Sequence, residues 1–176
     1  MYKPGCCLFV TWRLLDAVGP PSRPPACPAP KLSQIAPEEL VARHDPPLTL
    51  GSCVLRSPPV AQAVQRILLR DNGSAYQLVS WCVMPNHVHV IFAPLGEAYA
   101  AVILRRWKGA TARWINQHLS RAGPLWERES FDHLIHSADH LDRLVRYIEL
   151  NPVEAGLCPT PEGWPWSSAV SGYVPA

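Results

Sequence analysis

The stretch WCVMPNHVHVIFAP, residues 81–94, sets His87 and His89 one residue apart inside an otherwise apolar run. Side chains alternate across a strand, so residues two apart share a face. His87 and His89 then point one way, and Val88, Val90 and Phe92 point the other. Two imidazoles on one sheet face repel when charged, but when neutral they can together hold a metal ion. A hydrogen-bonded pair on a half-buried strand is the plainer alternative. To become a site, the pair needs a partner elsewhere in the chain.

The stretch LVRYIELNP, residues 144–152, offers one. If Leu141, Leu144, Val145 and Ile148 form the buried stripe of a helix, Tyr147 falls about 100° from its centre, at the edge of the core. Asn151 is four residues on and lies beside it along the helix. The Asn151 amide oxygen is a hard neutral donor that complements two imidazoles. His87, His89 and Asn151 would leave positions of an octahedral Mg²⁺ or Mn²⁺ open to substrate oxygens. The alternative for Tyr147 is a boundary aromatic with its hydroxyl in water. His133, His136 and His140 form a rival cluster, but the first two should face opposite sides of a strand.

Several elements must position these residues. CCLFVTWRLL (6–15) reads as a first strand. Residues 19–31 are crowded with proline and suit neither a helix nor a central strand, so a surface excursion is expected over about 19–57. Residues 36–44 suggest a short helix and 58–74 an amphipathic one. Strands follow at 75–84 and 87–93, joined by Pro85-Asn86 turn chemistry. Helix 98–119 carries Ile103, Trp107, Ala110 and Trp114 as its apolar stripe. Residues 129–136 give a last strand. The final helix has Ser137 as N-cap and is expected to end at Asn151-Pro152. This order predicts an α+β, ferredoxin-like split βαβ sandwich, an antiparallel sheet with helices on one side.

With 176 residues, 48% of them hydrophobic, the chain suits one globular domain over 1–176. The formal net charge of +2 does not announce a nucleic-acid binder, so any such role must rest on local charge. Six cysteines without C-x-x-C spacing read as reduced thiols. Residues 1–15 lack a signal-peptide pattern and no run suits a membrane span, so the expected location is the cytoplasm.

VMPNHVHVIF, GPLWERESFDHLIH, YIELNPVEAGL and WPWSSA occur in that order, after FVTWRL at 9–14. Together they resemble the HUH-type tyrosine transposases, in the REP-associated, IS200-like branch. The resemblance implies an HUH endonuclease-like fold and a metal-dependent single-strand DNA endonuclease and strand transferase acting on hairpin or palindromic DNA. It makes His87 and His89 metal ligands, Asn151 the polar third ligand and Tyr147 the nucleophile that forms a 5′-phosphotyrosine. A phenol with a pKa of about 10 needs activation for that attack.

DNA contacts are then expected from Arg105, Arg106, Lys108 and Arg113 on helix 98–119, where Arg106 and Arg113 share a face. Arg143 and Arg146 flank Tyr147 and are placed to steady a phosphate. A solvated helix face is the competing reading of the first group. Two other functions stand beside the transposase: a domesticated hairpin-DNA-binding protein with little or no transposition activity, and a metallohydrolase built on His-x-His. The oligomeric state, monomer or homodimer, stays open.

Overall fold

A computed structural model describes residues 6–17, 36–42 and 45–170. The proline-rich stretch at 19–31 lies outside the described residues. The main elements are β1 (Leu8–Arg13), α1 (Pro37–Ala42), α2 (Pro58–Leu69), β2 (Tyr76–Val83), β3 (His87–Pro94), α3 (Ala100–His118), β4 (Phe131–Leu134) and α4 (Ala138–Glu154). The strands form one antiparallel sheet in the order β2-β3-β1-β4. With α2 leading into β2 and α3 into β4, this is the α+β split βαβ arrangement.

Alternation along β3 divides the core in two. Val88, Val90 and Phe92 face α2 and α3, in a cluster with Trp12, Leu78, Val64, Leu68, Ile103 and Trp107. The other face carries Phe9, Cys82 and Ile91, and α4 covers it with Leu144 and Ile148. The helices therefore occupy both faces, not one side as the sequence suggested. The histidine-bearing face is apolar along much of its length, and such a face must be buried against another element.

Two helices differ in detail from their sequence patterns. The buried stripe of α3 is Ile103, Trp107, Thr111 and Ile115, whereas Ala110 and Trp114 are half-buried. Thr111 can turn inward because its hydroxyl donates to the Trp107 carbonyl at 2.7 Å and accepts from the Trp126 indole at 2.9 Å. In α4, Pro152 lies inside the helix, which continues to Glu154. The stop comes at Gly156, whose φ of +69° permits the closing turn. Its N–H bonds to the Val153 carbonyl and that of Leu157 to the Pro152 carbonyl, the pair of bonds that defines a Schellman end.

The outer edge of β2 is covered by the WPWSS segment. Val83 N donates to Trp166 O, Ser168 N donates to Trp81 O, and Cys82 bridges to Ser167. This extra pairing satisfies an edge that would otherwise present free backbone groups. Among the described residues, no helix is long and apolar enough to cross a membrane.

Candidate active site

His87 and His89 lie on β3 on the face that α4 covers, and both are buried. Their Nε2 atoms are 3.0 Å apart. The other ring nitrogens are held from behind. His87 Nδ1 meets Asn86 Oδ1 at 2.8 Å, and His89 Nδ1 meets Thr11 Oγ1 at 2.7 Å. An amide oxygen only accepts, so His87 carries its proton on Nδ1 and presents a lone pair at Nε2. Burial, followed by the nearby His89, pulls the His87 pKa down to about 3, which keeps that lone pair available at neutral pH.

Asn86 does more than hold the ring. Its Nδ2 donates to the carbonyls of Pro47 at 3.0 Å and Leu50 at 3.1 Å, which ties the segment after α1 to the β2–β3 turn. That tie brings in Asp45, a residue that sequence reasoning passed over. Asp45 Oδ2 lies 3.4 Å from His89 Nε2, and the Oδ1 atom is buried without a partner. The ligand atoms of Asp45, His87 and His89 all lie within 4.8 Å of one another. Among the described residues this is the only cluster of three or more histidine, cysteine or acidic side chains that is compatible with a divalent metal. Two facing imidazole nitrogens and a carboxylate with one unpartnered oxygen fit such an ion by their chemistry.

Tyr147 and Asn151 converge on the same place from α4. The Tyr147 hydroxyl donates to Asp45 Oδ2, and its ring contacts those of Phe9 and His89 edge-on. The hydroxyl is therefore engaged rather than free. Asn151 Nδ2 donates to Asp45 Oδ2 at 3.1 Å and lies 3.5 Å from His89 Nε2. So the Asn151 side chain turns its nitrogen, not the expected oxygen, toward the cluster. The reason is Asp45: an anionic carboxylate in the third position attracts the amide donor.

The electrostatics agree with this reading. Burial alone would raise the Asp45 pKa. The charge and hydrogen bond of His89, with His87 and Tyr147 adding to them, outweigh burial and hold the carboxyl well below its usual range. Burial, together with the charge and hydrogen bond of Asp45, pushes the Tyr147 phenol far above its usual value. A cavity of 270 Å³ opens onto Asp45, His87, Tyr147 and Asn151, with Glu154 on its rim.

The expected DNA-binding side chains lie elsewhere. Arg105, Arg106 and Arg113 are exposed on α3, across the sheet from Tyr147. Lys108 is differently occupied. Its Nζ donates to the carbonyls of Glu127 at 2.8 Å, Arg128 at 3.0 Å and Glu129 at 3.4 Å, and to Ser130 Oγ at 3.0 Å. It serves as an internal pin for the loop before β4, because four acceptors converge on one ammonium. Arg143 and Arg146 are exposed on α4, with Arg143 3.9 Å from Glu38. The rings of His133, His136 and His140 do approach, with centroids 5.1 to 6.5 Å apart, because β4 ends at Leu134 and the chain turns.

The only backward signal for Asp45 was its place before Pro46-Pro47, since a residue before proline is held extended. That signal fixes the backbone at Asp45 but does not say which residues its carboxylate meets.

This chain belongs to the IS200-like transposase family, whose model matches residues 58–151. That span covers β2, β3, α3, β4 and most of α4, and so includes both histidines, Tyr147 and Asn151. A protein of Haemophilus influenzae named for the REP-associated tyrosine transposases is 26% identical over 103 residues, 53% of this chain. The match covers 58% of that relative's length. The solved structure of a REP-associated tyrosine transposase bound to a REP hairpin shares the fold. Its TM-score is 0.59 at 19% identity, over 96% of this chain and 80% of the other.

Proposed function

We propose that this chain nicks and rejoins single-stranded DNA beside a hairpin, through a 5′-phosphotyrosine on Tyr147. The observation that carries the reading is the convergence of Tyr147, Asn151, His87 and His89 on Asp45, beside a cavity that all of them except His89 line. The hairpin as partner is supported by the REP hairpin bound in the solved relative that shares this fold.

In the cleavage step the Tyr147 oxygen bonds to phosphorus and the bond from phosphorus to the 3′-oxygen breaks. The phenol loses its proton and the departing 3′-oxygen gains one. Rejoining is the same exchange in reverse with another 3′-hydroxyl, so no nucleotide cofactor is needed. Asp45 orients the phenol by accepting its O–H, and Asn86 and Thr11 fix the histidine rings. A divalent cation, Mg²⁺ or Mn²⁺, held by His87, His89 and Asp45 or Asn151 would supply charge neutralisation at the scissile phosphate.

The test is to incubate the protein with hairpin-flanked single strands and Mn²⁺ or Mg²⁺ and look for a denaturant-resistant protein–DNA complex. Wild type should form it, while Tyr147→Phe and His87→Ala should not. An adduct that persists in Tyr147→Phe overturns the mechanism. One observation favours a second reading, a hairpin binder with little turnover: the Tyr147 hydroxyl is tied to a carboxylate that opposes its ionisation. That reading calls for tight hairpin binding by wild type with no adduct on any strand that it binds.

A further inference from the structure

β4 pairs with β1 only as far as Thr11, opposite Phe131. The chain meets β1 again where Glu127 N donates to Arg13 O at 3.0 Å and where Leu14 bridges to Trp126. Between these points residues 128–130 loop outward, and Lys108 pins the loop by its carbonyls. The gap is a cavity of about 260 Å³ lined by Thr11, Trp12, Arg13, Glu127, Ser130 and Phe131, with Glu129 at its rim. Two of its walls adjoin the histidine pair. Thr11 is bonded to His89, and Arg13 is the cross-strand partner of His87.

The volume lies below the range of pockets for drug-sized ligands and suits a single planar ring system. Phe131, whose ring meets Phe9 edge-on and lies parallel to His133, gives the cavity a half-buried aromatic wall. The polar wall is one ion pair: Arg13 Nε meets Glu127 Oε2 at 2.5 Å, and Arg13 Nη2 meets Oε1 at 3.2 Å. Both side chains keep part of their surface in solvent, so the pair can also address a guest. With its own cation engaged by Glu127, and Glu129 nearby, the cavity disfavours a phosphate and favours an uncharged base.

We propose that this cavity is a subsite for one unpaired nucleobase next to the scissile phosphate, and that the Arg13–Glu127 pair selects guanine. Guanine alone sets two donor nitrogens, N1 and N2, beside the acceptor O6 on one edge. Glu127 accepts from the two nitrogens and Arg13 donates to the oxygen. Adenine, cytosine and thymine lack two adjacent donor nitrogens. This inference rests on the single-strand DNA reading and deepens it.

Fluorescence polarisation tests it with a labelled oligothymidylate of about a dozen nucleotides, unchanged or with one central dT replaced by dG, dC or dA. The thymidylate host lets the odd base reach the cavity in any register. Wild type should bind the dG strand about tenfold more tightly than the other three. Glu127→Gln is nearly isosteric, and thermal melting checks its fold; it should bring the dG strand to the level of the rest. Equal binding of all four strands by wild type overturns the subsite, and so does a guanine preference that survives in Glu127→Gln. If the Tyr147 adduct forms while the four strands bind alike, the subsite alone fails. If no strand binds and no adduct forms, the single-strand reading falls with it.

Discussion

Asp45 holds three partners at once: the Tyr147 phenol, the Asn151 amide and the His89 imidazole. On the proposed metal site, it and Asn151 are the two candidates for the third ligand position. Titration of the metal-free protein with Mn²⁺ separates them. His87→Ala should weaken binding by at least about tenfold, and Asp45→Asn by a similar factor if the carboxylate is the ligand. If Asp45→Asn binds as wild type does and Asn151→Ala does not, the amide is the ligand and the carboxylate only orients Tyr147. The same arrangement revises what Tyr147→Phe costs. As an edge tyrosine in water it would lose under about 1 kcal/mol, the usual range for surface changes. Donating to an anionic partner, it should lose about 1.5–3 kcal/mol in urea unfolding, since bonds to charged groups are worth that much. The positions of the histidines, Tyr147 and Asn151 were legible because strand and helix periods place them locally, and the family resemblance supplied their expected roles. Asp45 was not, because its position depends on Asn86 drawing in a segment far away in sequence.

At the scale of elements, periodicity found every strand and helix of the sheet but erred where tertiary contacts intervene. The α3 stripe shifted to Thr111 because two hydrogen bonds let a polar residue go inward. The end of α4 moved beyond Pro152, because a proline in the last turn costs little once a glycine closes the helix behind it. The inward face of α4 was otherwise read well: Leu144 and Ile148 are fully buried. Charge alone did not separate Lys108 from its neighbours, and the structure now does. Replacing Arg106 and Arg113 together should lower the salt dependence of single-strand binding by about two phosphate contacts. Lys108→Met should leave that slope unchanged, since its ammonium is occupied by carbonyls, but should loosen the loop at 127–130. A proteolysis or hydrogen-exchange measurement on that loop checks the second half. A lowered salt slope for Lys108→Met would return it to the DNA surface.

Over the whole molecule, the sheet separates two polar territories, the candidate site under α4 and the arginine face of α3. β4 is an edge of the sheet between them, and His133, His136 and His140 gather there. His133 and His140 are both held below the usual histidine value, by burial first and then by neighbouring cations. His136 and, for His140, Arg143 push the same way, while Asp132 faces His133 and Glu38 faces His140 in opposition. With folded values below the unfolded value of about 6.5, the unfolded chain binds more protons in that window. Stability contributed by the cluster is complete above about pH 6.5 and is lost as pH falls. His140→Gln should therefore show a smaller drop in Tm between neutral and mildly acidic pH than wild type. Comparing the two isolates the cluster from His87, which is also held low and titrates in the same sense.

The single buried amide of Asn86 couples a β-hairpin turn to a strap whose contacts lie 36 and 39 residues upstream. The strand of one local hairpin sets the two histidines on one face, whereas the carboxylate on the strap reaches Tyr147 across 102 residues. Long-range closures of this kind are slow relative to local ones. The expected order of closure is therefore a two-histidine half-site first and the three-donor cluster last. Cation affinity is in this sense a timer for the completed topology. A divalent ion present during refolding would act as a latch on the final closure and leave the rate of sheet formation untouched.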